Sequence, residues 1–60
     1  MTIPKLIDIL KNKVAALKSK RVVLHQLGDL NEVVAIDNEV AETEATIASL
    51  THQLQENQGG

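Results

Sequence analysis

The sequence predicts an all-α chain folded as an antiparallel two-helix hairpin, coiled-coil-like in its packing. Three observations carry this reading: two aliphatic stripes at heptad spacing, a Gly-Asp break between them, and a segregation of charge between the two halves. At 60 residues there is room for one small domain. With no Phe, Trp, Tyr or Cys, only aliphatic packing is available to hold it together.

The first helix is predicted over residues 3–27. Thr2 is placed to accept a hydrogen bond from the first turn, and Pro4 sits where a missing N–H is tolerated. Ile3, Ile7, Leu10, Val14, Leu17, Arg21 and Leu24 then recur at alternating spacings of four and three, the rhythm of a helical seam. The second stripe comprises Val33, Ile36, Val40, Thr43, Ile47, Leu50 and Leu54. Leu24 and Val33 are nine residues apart. At ~100° per residue that step would put the second stripe on the opposite side of a straight rod. A turn at 28–29 resolves the mismatch, because Gly28 suits the left-handed position just past a helix end, while Asp29 with Glu32 three residues on forms a capping-box-like start. The second helix is predicted over 30–55, and the polar tail at 56–60 is expected to fray.

Folding the chain at the turn aligns the stripes at a constant sum of residue numbers, 57, from Ile3 with Leu54 to Leu24 with Val33. Charge agrees with that register. All six basic residues precede Gly28, with Asp8 as the only acid beside them, a net of +5; the remainder holds seven acids and no Lys or Arg, a net of −7. Labelling Ile7 as position a puts Lys11 and Lys18 at e and Lys13 and Lys20 at g, with Asp37 and Glu44 at e and Glu32 and Glu39 at g of the second helix. Antiparallel pairing is then expected to bring Lys11 to Glu44, Lys18 to Asp37 and Lys20 to Glu39, each exposed pair contributing ~0.2–1 kcal/mol. A parallel homodimer would instead set Lys13 against Lys18 and Glu39 against Glu44.

One seam buries little apolar surface for so short a chain, and small scaffolds without disulfides or metals usually oligomerise. Further apolar residues lie beside the seam. Ala15, Val22, Val34, Ala41 and Ala48 occupy b positions that project to one flank, while Leu6, Ile9, Ala16, Val23, Leu27 and Ala35 form a bulkier stripe on the other. Apolar stripes on both flanks exceed the width normal for a solvated two-helix unit. The expectation is self-association, most simply as a dimeric four-helix bundle through the alanine and valine flank.

Catalytic constellations are missing from the sequence. There is no cysteine for a thiolate site. The hairpin register separates His25 and His52, the only histidines, by roughly 30 Å at 1.5 Å rise per residue, too far to share a metal within one hairpin. Glycine occurs only at positions 28, 59 and 60, which leaves no phosphate loop, and Ser19 and Ser49 stand outside any nucleophile motif. Neither an enzyme nor a cofactor is expected.

Arg21, a charge at a seam position, has two readings. In the structural one its stem packs and its guanidinium reaches an acid such as Asp37 or Glu32, fixing register. In the functional one it joins Lys11, Lys18 and Lys20 as a set of phosphate contacts. Against nucleic acid stand the acidic helix opposite, a pI near 5.5 and the absence of any aromatic to stack a base. Asp8 and Lys11 interrupt the apolar run that a signal peptide needs, and no stretch approaches the ~18 apolar residues of a membrane span, so a cytoplasmic or virion-associated location without membrane contact is expected. The function expected is a small non-enzymatic assembly or adaptor protein that self-associates. The alternatives are a regulatory nucleic-acid binder using the basic first helix, and a subunit that folds against a larger protein partner.

Overall fold

The computed structural model describes residues 1–59, with side-chain surroundings described through Glu56. Two helices, α1 (Ile3–Leu27) and α2 (Leu30–Gly59), pack against each other along a rod of 49 × 15 × 13 Å. Among the described residues there is no strand.

Each helix begins where the sequence supplies a side-chain acceptor. Thr2 is extended (φ −88°, ψ 159°), and its Oγ1 accepts from the Lys5 amide at 3.3 Å, while its carbonyl accepts from Leu6 at 3.0 Å. At the other end of α1, Gly28 adopts the left-handed conformation (φ 79°) that only glycine enters at no steric cost. Its amide donates to the His25 carbonyl at 3.1 Å and the Asp29 amide to the Leu24 carbonyl at 3.0 Å, the paired bonds of a Schellman motif. Asp29 then opens α2, its Oδ1 accepting from the Glu32 amide at 3.4 Å and its carbonyl from Val33 at 3.1 Å. Because the Asp29 amide is already engaged by α1, the reciprocal half of a capping box has no donor left to serve.

The helices meet along the heptad seam. All fourteen seam residues are buried or half-buried, and among the other residues through Glu56 only Leu6 and Thr51 are less than exposed. The innermost are Ile7, Val14, Val33, Ile36, Val40 and Thr43, with Leu17, Leu24 and Ile47 packed against the cluster of Val14, Ile36 and Val40. Thr43 is the polar member. Its hydroxyl donates to the Glu39 carbonyl one turn back at 2.8 Å, so it is buried without an orphaned group. Thr46 and Thr51 make the same bond to Glu42 and Ile47.

One expectation is corrected. The chain was expected to leave the helix at 56–60, but α2 continues through Gly59; residue 60 lies outside the described residues. The physical reason is cooperative propagation: once six turns exist, each added residue gains a backbone bond without a nucleation cost, and Gln55 and Glu56 are good helix formers. His52 and Glu56 also stand one turn apart, with Nε2 3.0 Å from Oε1.

Candidate functional site

What the fold leaves open is its two flanks. On the first, Ala15, Val22, Val34, Ala41 and Ala48 are all exposed, Val22 and Val34 by more than half of their surface. Leu30, exposed to 61%, extends this flank toward the turn. It was missing from the sequence-based set, although its e position, one heptad before Asp37, would have placed it there. The second flank exposes Ile9, Val23 and Leu27, half-buries Leu6, and carries Ala16 and Ala35.

These flanks differ in who supplies the apolar surface. Both helices contribute to the first: Val22 and Ala15 from α1, Val34, Ala41 and Ala48 from α2. On the second, α1 supplies nearly all of it, because the corresponding α2 residues are Glu32, Glu39, Glu42, Thr46, Ser49 and Gln53, with Ala35 the exception. Only on the first do both helices supply more than one apolar residue, at levels that alternate with Lys18, Asp37, Lys11 and Glu44.

A shallow groove of about 260 Å³ lies on the first flank, between Lys11, Val14, Glu44, Ile47 and Ala48. It is smaller than the ~300–1,000 Å³ typical of small-molecule sites. Its floor is seam aliphatics, and Lys11 and Glu44 form opposite rims. Such a groove can take an aliphatic side chain or stem; among the described residues no three acidic, histidine or cysteine side chains converge to hold a metal ion.

The ion pairs across the hairpin correct the sequence-based pairing. Arg21 Nε donates to Asp37 Oδ1 at 2.6 Å and Nη2 to Oδ2 at 3.5 Å, which bears out its structural reading. Asp37 was expected to meet Lys18. Arg21 takes it because a seam residue starts closer to the partner helix, and its planar fork fits a carboxylate with two bonds. Glu39 was expected to meet Lys20, but pairs with Lys13 at 3.5 Å. Lys11 and Glu44 share the groove without closing to ion-pair distance. Register fixed the flank on which each charge lies; the long lysine stems decided the partner.

These pairings divide the proposed phosphate set. Arg21 is engaged by Asp37. Lys18 and Lys20 are two residues apart on α1 and therefore point ~200° away from each other, with Lys11 on the Lys18 side. Among the described residues, Lys5, Lys11, Lys18 and Lys20 make no ion pair, so the cations are available but distributed around the helix.

No helix among the described residues is long and apolar enough to cross a membrane. Compared with protein-family models, curated proteins and solved structures, the chain shows no match. Fold and site thus define a class by geometry alone: an α-helical hairpin with one flank to which both helices contribute exposed apolar residues.

Proposed function

We propose that the chain is a small non-enzymatic assembly or adaptor protein that self-associates through the alanine and valine flank as a dimeric four-helix bundle. The observation that carries this reading is the exposure of Ala15, Val22, Val34, Ala41 and Ala48 in the single hairpin. Surface area supports it. A compact monomer of 6.5 kDa exposes about 3,800 Å², whereas the hairpin exposes 4427 Å². The excess, about 600 Å², reflects the elongated rod of a single hairpin, which leaves both flanks open for further packing. A fold that needs no disulfide suits the cytoplasm or a virion interior.

The test is molecular mass and helicity measured together across a hundredfold range of concentration, detected in the far ultraviolet because no aromatic absorbs at longer wavelength. A helical dimer that melts on dilution supports self-association. A monomer at every concentration overturns it, and helicity that appears only on mixing with another protein points to a larger partner.

A second reading, nucleic-acid binding through the first helix, is favoured by the lysines that lack an acidic partner. It is tested by retention on nucleic acid at low salt. Salt-sensitive retention that is lost in K18E/K20E supports it, and absence of retention removes it.

A further inference from the structure

The first flank holds more than apolar residues: it also carries charge in an order that restricts how a second copy can dock. Heights along the hairpin follow from the register, which the Arg21–Asp37 contact and the groove shared by Lys11 and Glu44 hold in place. Starting at the turn, the flank shows His25 beside Leu30, then Val22 beside Val34, then Lys18 beside Asp37, then Ala15 beside Ala41, then Lys11 beside Glu44. At both paired levels the cation is on α1 and the acid on α2; nearer the chain ends Asp8 of α1 stands beside Ala48. Apolar levels alternate with them.

Two such faces can be related by a two-fold axis in either of two ways. If the axis runs across the hairpin, the turns lie at opposite ends and α1 stacks on α1 of the second copy. When the charged levels are set against one another, like charges face each other, since Lys11 and Lys18 meet lysines while Asp37 and Glu44 meet acids; an axis displaced toward the chain ends avoids this by setting Lys18 against the single acid Asp8 and leaving Asp37 and Glu44 opposite alanines. If the axis runs along the hairpin, the turns lie at the same end and α1 stacks on α2 of the second copy at matching heights. Lys11, Lys18, Asp37 and Glu44 then each meet an opposite charge, Val22 meets Val34, Ala15 meets Ala41, and Asp8 meets Ala48.

We infer that the hairpin dimerises through this flank with both turns at the same end, Lys18 facing Asp37 of the second copy and Lys11 facing Glu44 of the second copy. This rests on the self-association proposed above and adds its geometry. Asp37 can serve two cations: its side chain is 50% exposed beside Arg21, and a carboxylate offers about four acceptor sites. The alanines let the helices approach closely, and the lysine stems lie over the aliphatic groove floors. Lys11 and Lys18, which make no ion pair among the described residues of the single hairpin, thereby acquire an acidic partner in the dimer.

The two geometries give opposite responses to charge reversal. With turns together, K11E sets a new carboxylate against Glu44 of the second copy, and E44K sets a new ammonium against Lys11 of the second copy. Each variant alone dimerises about tenfold more weakly, since symmetry counts every contact twice, and an equimolar mixture recovers dimerisation as a heterodimer. With turns apart, the carboxylate introduced by K11E would face Lys18 of the second copy and tighten the homodimer. Tightening, or a mixture no stronger than its components, overturns the inference. Helicity at high concentration confirms that both variants still fold. A spin label at Asn31→Cys, an exposed site near the turn in a chain without cysteine, gives an independent readout. The two labels should lie within about 30 Å of each other when the turns are together; a separation approaching the 49 Å length of the hairpin sinks the geometry but leaves self-association standing. A wild-type chain that never dimerises overturns both.

Discussion

The seam and the first flank are both heptad-spaced aliphatic stripes, yet α1 and α2 close over one and leave the other open. The seam holds Ile, Leu and Val in twelve of fourteen positions and buries or half-buries all of them. The flank alternates valine and alanine with charge and stays exposed. Position in the heptad decides which stripe closes, because a and d residues face the partner helix of the same chain, whereas b residues face away from it. For the self-association proposed above, the small side chains of Ala15, Ala41 and Ala48 would let a second helix approach closely.

The sharpest way to break the comparison is to place the same charge in each stripe. Val40→Asp puts an unpaired carboxylate into the core and should cost about 3–5 kcal/mol, enough to abolish helicity at any concentration; Leu17→Asp should act likewise. Both are read by circular dichroism. Ala41→Lys, one residue further along α2 but on the flank, should leave helicity intact at high concentration and move the midpoint of dissociation upward about tenfold, an effect of ~1.4 kcal/mol. An unchanged mass for Ala41→Lys would mean that copies meet elsewhere, and equal damage from Val40→Asp and Ala41→Lys would erase the distinction between the stripes.

Smaller substitutions sharpen it. Thr43→Val replaces the buried hydroxyl with a methyl of similar shape and removes the bond to Glu39, so thermal stability should be unchanged or raised by up to ~1 kcal/mol; a loss would show that Thr43 does more than fill its level. Asn12→Asp, exposed on the outer face of α1 away from seam and flank, should stay within about 0.5 kcal/mol of the parent in both melting and mass.

The parts of the structure legible in the sequence are those governed by short-range, stiff geometry. Thr2, Gly28 and Asp29 announced their caps because each acts on backbone atoms within five residues. The spacing of Ile7, Val14, Ile36 and Val40 announced the seam because a helix repeats rigidly. The ion pairs were legible only as far as the flank. Lys13 and Lys20 occupy equivalent positions one heptad apart, and nothing in their spacing says which stem will reach Glu39. Arg21 was legible as a pair because its seam position left few acids within reach. The run of α2 through Gly59 was not, since residues 55–58 carry no apolar pattern in the sequence.

Asp29 ends one helix with its amide and begins the next with its carboxylate and carbonyl. The two helices therefore share a nucleus, and the first contacts across the turn, such as those near Leu24 and Val33, close a loop of very few residues at little entropic cost. From there each further level lies next to one already closed, so closure from the turn toward the chain ends is the route of least loop entropy. That route means that a longer, looser linker in place of Gly28 and Asp29 would slow closure and free each α1 to find the α2 of a neighbour, turning a hairpin into an exchanged pair.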